Sequence, residues 1–173
     1  MRVIFTLLVS LLLVACSNST GGSARTYQGG FDNARRVSVD PHGLQCGMSM
    51  VCGGLGAQWT SADPENVIVL VNIFNDYRAI TGAALDIDGE KVALGDNQAL
   101  TTFRAPTPGS AMRESRKAFN VPLTIVRRIP SANRVWVRIY TTDGYIDGAV
   151  IDGDRDSKAF HALKRFIASV DSI

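Results

Sequence analysis

The chain has 173 residues, 46% of them hydrophobic, with 18 basic and 16 acidic side chains, two histidines and three cysteines. That length supports one domain with a real core, and no internal repeat or second linker divides it. Charge is nearly balanced and no basic run interleaves with aromatics, which excludes a nucleic-acid-binding pattern.

The N-terminus reads MRVIFTLLVSLLLVACSNST. Arg2 is a minimal positive region, and residues 3–14 form an apolar run that suits a signal-peptide core and is too short to span a bilayer. The run ends in Leu13-Val14-Ala15-Cys16, which resembles the bacterial lipobox. The resemblance implies export, cleavage of a signal peptide at residues 1–15 and lipidation of Cys16. Ser17, where an aspartate would favour the inner membrane, points to the outer membrane with the domain facing the periplasm. Several acyl chains on one cysteine suffice for stable attachment, so the body needs no membrane-binding surface of its own. Residues 17–30, SNSTGGSARTYQGG, are Ser-, Gly- and Thr-rich. They are expected to form a flexible tether of about 20 Å r.m.s. length, leaving residues 31–173 as a single β-rich domain.

Next comes HGLQCGMSMVCGG, residues 42–54. In an extended strand Cys46, Met48, Met50 and Cys52 would share one face, with the cysteine Cα atoms about 20 Å apart. A disulfide needs roughly 4.4–6.8 Å, and one metal ion could not reach both ends either. Either reading requires residues 46–52 to fold back, which Gly47, Gly53 and Gly54 permit. In an exported protein whose Cys16 carries lipid, Cys46 and Cys52 remain as an even pair and are expected to form a disulfide. Closing that loop would stabilise by about 2.4 kcal/mol on the entropic estimate. The alternative is a copper(I) site drawing on Met48, Met50, His42 and the thiols, since soft sulfur ligands select that ion. The glycines of GGLG, residues 53–56, are expected to form a bend between strands.

Asn66 to Phe74 is a β-branched apolar run that predicts a central strand, with Pro64 just before it. Arg78 to Ile87 and Lys91 to Leu94 predict a hairpin across the Asp86 to Lys91 turn, with Gly89 in the left-handed position. Ala99 to Arg104 is a further strand, ended by a loop at Pro106 and Pro108. A short helix is predicted after Asn120, with Pro122 in its first turn, Leu123, Val126 and Ile129 inward, and Pro130 at its end. Arg134 to Thr141 alternates, with Val135, Val137 and Ile139 on one face and Trp136, Arg138 and Tyr140 on the other. Asp143-Gly144 then turns the chain into a partner strand, Tyr145 to Ile151.

Asp152, Asp154 and Asp156 occupy the first, third and fifth places of a calcium loop, but Ser157 and Leu163 stand where the loop needs glycine and glutamate. The segment reads instead as an acidic turn capping the last helix at Asp156. That helix, about Ser157 to Val170, carries Ala159, Phe160, Leu163, Phe166, Ile167 and Val170 as one apolar stripe, with His161 on its exposed side. The fold class is therefore α+β: a mostly antiparallel sheet or compact sandwich with a C-terminal amphipathic helix on one face. Segregated helices exclude a nucleotide-binding parallel sheet.

No catalytic set is found: there is no G-x-S-x-G, no H-E-x-x-H and no S-x-x-K at a helix start. No cofactor is implied. Residues 91–173 hold 13 basic and 8 acidic side chains, against 4 and 8 in residues 16–90, so the C-terminal half could face an anionic partner. The layout is similar to the exported invasion-associated locus B proteins: a cysteine-bearing stretch before a strand, an Ile87-Asp88-Gly89 turn, and a late strand pair before a helix opening Lys158-Ala159-Phe160. That resemblance implies an exported domain and no catalytic mechanism. The leading expectation is a non-enzymatic cell-envelope lipoprotein, membrane-bound through its anchor, that contacts another envelope protein. The alternatives are an inhibitor or immunity-type lipoprotein against a wall-degrading enzyme, and a copper-binding periplasmic protein.

Overall fold

The computed structural model describes residues 22–96, 98–106 and 112–173. The signal peptide expected at residues 1–15 and the lipidation of Cys16 lie outside the described residues, as does Pro108. The described strands are β1 (Arg25–Gln28), β2 (Arg35–Gly43), β3 (Cys52–Thr60), β4 (Asp63–Phe74), β5 (Ile80–Ile87), β6 (Glu90–Ala93), β7 (Gly95–Asp96), β8 (Thr102–Arg104), β9 (Glu114–Pro122), β10 (Arg134–Thr141), β11 (Gly144–Asp152) and β12 (Arg155–Asp156). Helix α1 (Leu123–Val126) is a single turn followed by a 3-10 turn, Ile129–Ser131, and α2 (Lys158–Asp171) closes the chain.

Two antiparallel sheets result. The first runs β1-β2-β3-β4-β9-β7, with β8 also paired to β9; the second runs β12-β11-β10-β5-β6. The fold is the expected α+β sandwich with a C-terminal helix. Alternation builds its core. Val67, Val69, Val71 and Ile73 of β4 face inward beside Leu55 and Ala57 of β3 and Phe119 and Val121 of β9. The second sheet contributes Val135, Val137 and Ile139 of β10, paired with Ile87, Leu85 and Ala83 of β5. The apolar stripe of α2 joins the same cluster and lies over β2 and β3.

The segment between β2 and β3 ties the two sheets together. Gln45 and Ala149 of β11 exchange backbone hydrogen bonds of 2.8 and 3.3 Å. The Leu44 side chain is buried against Gly53 of β3 and Gly148 of β11. Any Cβ on either glycine would come within 2.9 Å of Leu44, so the missing side chains let the sheets close at this corner.

Several elements differ from the sequence expectation. Residues 53–56 are no bend: they run inside β3, buried throughout. Their small size is spent on close approach to neighbouring strands rather than on turning. Within the expected tether, residues 25–28 form β1, paired along Arg35 to Ser38 of β2. The N-cap of α2 is Ser157, whose Oγ accepts from Phe160 N at 3.2 Å. Asp156 stands one residue before the cap, in β12 and paired with Ile151, and its carboxylate faces His161 instead. His161 is half-buried rather than exposed, and its Nε2 lies 3.0 Å from Asp156 Oδ2.

Candidate functional site

Three places concentrate unusual chemistry: the disulfide loop with its neighbours, the seat of Gly22, and the outer face of the second sheet.

Cys46 and Cys52 are joined, with Cα atoms 5.4 Å apart. The fold-back that this requires comes from local bonds. Gly47 sits at φ +55°, Ser49 N donates to Cys46 O at 3.2 Å and Ser49 Oγ donates to Val51 O at 2.9 Å. Below the loop, Leu44 N donates to Gly53 O at 2.9 Å. Met48 and Met50 stand out at 103% and 84% exposure, so they are loop surface and no part of the packing. Of the copper(I) candidates, the two cysteines and the His42 ring are already engaged within the protein. Both sulfurs of the cysteines are spent on each other, and His42 Nε2 accepts a 2.8 Å hydrogen bond from Gly22 N. Among the described residues no group of three or more His, Cys, Asp or Glu is placed to hold a metal.

One other connection meets the disulfide loop directly, and two more join it through that connection. Asn75, after β4, donates from Nδ2 to Met50 O at 2.7 Å and from its backbone to Arg113 O at 2.8 Å. Ser115, fully buried, accepts from Arg78 N at 2.9 Å and donates to Asp76 O at 3.3 Å. Arg78 lies 2.8 Å from Asp76 and 3.4 Å from Asp143 in the β10–β11 turn. The Arg78 hydrogen bond holds the Asp76 carboxyl below its usual range. On this scaffold Tyr77 and Phe103 pack edge to face at 5.9 Å, both partly exposed, with the Arg113 guanidinium 5.9 Å from the Tyr77 ring. No sequence reading pointed to this aromatic pair, because its members lie 26 positions apart in segments without periodicity.

Gly22 is pinned from both sides. Its N–H donates to His42 Nε2, and its carbonyl accepts from Arg165 Nε of α2 at 3.1 Å. His42 must therefore carry its proton on Nδ1. Burial, and then the Arg165 charge, pushes its pKa below the ordinary imidazole value; Asp40 opposes this and Lys158 adds to it.

The outer face of the second sheet carries Arg134, Trp136, Arg138 and Tyr140 on β10, with Tyr145 on β11. The Arg134 guanidinium lies 5.5 Å from the Trp136 ring, and that of Arg138 lies 4.0 Å from the Tyr145 ring. Arg138 is also forked onto Asp147, through Nε and Nη2 at 2.8 and 2.7 Å. That pairing raises its already high pKa, so it is permanently charged. Trp136 Nε1 is buried and finds no acceptor in the protein. A groove of about 240 Å³ runs along this face, lined by Asp86, Lys91, Trp136, Arg138 and Tyr140 among others. The signal for this face was present in RVWVRIYT, whose outward positions are large aromatics and arginines rather than the small polar residues of a merely solvated face.

Asp152 and Asp156, read from sequence as an acidic turn, are engaged locally. Asp152 lies 3.5 Å from Arg134 and 3.8 Å from Arg155, and Asp156 faces His161. Among the described residues no helix is long and apolar enough to cross a membrane. No protein-family model, no curated protein and no solved structure matches the chain.

Proposed function

We propose that this chain is a bacterial cell-envelope lipoprotein, anchored through Cys16 and facing the periplasm, whose domain binds another envelope protein and performs no catalysis. The anchor rests on the lipobox-like residues 13–16. The binding role rests on one observation: Trp136, Tyr140 and Tyr145 share one open sheet face with Arg134 and Arg138, whose guanidinium groups pack on the Trp136 and Tyr145 rings. Trp, Tyr and Arg dominate the energetic centres of protein interfaces, because they offer large, stiff contact area with a polar tip. Arg138 is already fixed by Asp147 and Tyr145, so little side-chain freedom is lost on docking. The groove, at about 240 Å³ and open to solvent, falls below the roughly 300–1,000 Å³ of enclosed small-molecule sites. A broad protein surface fits it better.

Photo-cross-linking in intact cells tests this. A cross-linker at Tyr140 or Tyr145 should capture one envelope protein reproducibly, while the same group at Gln58 on the other sheet should not. Trp136→Ala or Arg138→Ala should lower the yield about tenfold, as expected for a central contact. No capture, or the same proteins from Gln58, would refute the binding face. The anchor is checked separately by the mass of the N-terminal peptide of the mature protein, which should begin at an acylated Cys16.

A further inference from the structure

We propose that the loop end of the domain, presenting Met48, Met50, Tyr77 and Phe103, is a second membrane contact seated in the interfacial layer of the bilayer that holds the anchor. This rests on the lipoprotein reading and goes beyond it, because an acylated Cys16 needs no contact from the domain.

The position of the anchor carries the argument. The chain enters the fold at Gly22, fixed beside His42 and Arg165. Cys16 precedes Gly22 by six residues, which reach at most about 20 Å when fully extended. His42 pairs with Leu55, three rows below the Cys52–Phe74 pair that ends the sheet beneath the disulfide loop. Three rows are about 10 Å. Measured along β3, Gly22 is therefore nearer the loop end, three rows away, than the opposite end at Thr60, five rows away, and six residues are enough to let the loop end touch the bilayer that holds Cys16 while too few to let the domain stand far off.

The loops that meet there suit the interface. Residues 44–51 contain no charged side chain. Their tip offers two unbranched apolar side chains, and Tyr77 and Phe103 are exposed at 42% and 56% on the same end of the sheet, two strands further across, with Asn75 linking the Tyr77 connection to Met50 O. Aromatic and thioether groups partition favourably into the boundary between headgroups and acyl chains. Arg113, held over Tyr77, adds a positive charge at headgroup level. Three backbone carbonyls of the tip, those of Cys46, Met50 and Val51, already accept donors within the protein, which lowers the cost of partial desolvation there. The disulfide keeps the tip from collapsing back on the sheet.

The test uses the full chain, processed in cells and reconstituted in phosphatidylethanolamine/phosphatidylglycerol vesicles containing brominated lipid. With both natural tryptophans replaced by phenylalanine, a single tryptophan is placed by Met50→Trp or, as control, by Gln58→Trp. Position 58 lies six residues down β3 from Cys52, about 20 Å below the loop end. The expected result is several-fold stronger bromine quenching of the tryptophan at 50 than at 58, with a blue-shifted emission at 50 alone. Adding Met48→Ser and Phe103→Ser to the Met50→Trp chain should reduce that quenching. Equal, weak quenching at both positions in vesicle-bound protein overturns the membrane contact while leaving the anchor standing. Cross-links from position 50 into a protein would overturn it too, assigning the tip to a protein partner. A chain that fails to float with the vesicles and carries an unmodified Cys16 overturns both readings together.

Discussion

His42 shows how one side chain can hold a backbone group twenty positions earlier in the chain to the body of the fold. Its Nε2 accepts from Gly22, which requires a neutral ring. Burial and the positive charges of Arg165 and Lys158 favour that neutral form over the opposing influence of Asp40. The folded-state pKa therefore lies below the unfolded value of about 6.5. A base with a lowered folded pKa binds more protons when unfolded, so stability rises with pH through this window. The contribution is complete above the unfolded pKa and declines as pH falls from about 6.5 toward the lowered folded value. Thermal unfolding at pH 7.5 and 5.5 should show a drop for the natural chain that is smaller in His42→Gln. Amide protection at residues 22–28, measured relative to the intrinsic exchange rate at each pH, should fall over the same interval, because protonation ejects the Gly22 N–H and loosens the start of β1. Identical pH slopes for the two chains would rule out His42 as the source.

At the scale of elements, the two sheets differ in what their strands announce. The β5–β6 and β10–β11 hairpins follow from alternation and from Asp-Gly turns, with Asp88 and Gly89 at φ +51° and +93° and Gly144 at +142°. The first sheet is largely silent in sequence apart from β4. In β3 the pleat is lined by Gly53, Gly54 and Gly56, residues that read as a bend because their packing reason lies in other strands. In β9 the inward positions include Ser115 and Lys117, so hydrophobic alternation fails although the strand pairs with all of Asn66 to Phe74. Of the candidate site, the cysteine pair was legible from the count and spacing of cysteines, whereas Tyr77, Phe103 and the seat of Gly22 depend on contacts that spacing does not encode. Gly56 tests the close-packing account. A Cβ there would stand 2.7 Å from Pro41 N and Val39 O, beside the irregularity of β2 between Val39 and His42. Gly56→Ala should cost about 1–3 kcal/mol in denaturant unfolding, since backbone cannot yield as a side-chain tip can. The disulfide is the complementary case. Cys46→Ser/Cys52→Ser should cost about 2.4 kcal/mol through the freer unfolded chain. The Gln45–Ala149 pairing, which lies outside the closed loop, should keep its exchange protection.

For the molecule as a whole, the question is whether two sheets make two folding units or one. A sandwich whose halves met only through side chains could loosen layer by layer. Here the buried residues of both sheets and of α2 form a single cluster, and the segment after β2 adds backbone hydrogen bonds from the first layer to β11 of the second. Leu44 sits at that junction with its side chain against a glycine of each layer. The two tryptophans provide independent reporters, since Trp59 lies in β3 of the first sheet and Trp136 in β10 of the second. In Trp136→Phe and Trp59→Phe chains, each with one fluorophore left, denaturant midpoints corrected for the substitution should agree with the circular dichroism midpoint of the same chain. Leu44→Ala, added to either, removes a buried side chain from a site that glycines prevent from refilling. It should lower stability by about 2–5 kcal/mol by both reporters alike. If the two layers were separate units, the substitution would shift one reporter and spare the other, and fluorescence would part from circular dichroism. Coincident shifts would mean that the chain's corner at Leu44 and Gln45 transmits stability between layers, so that the loop end and the Trp136 face are held on one rigid body.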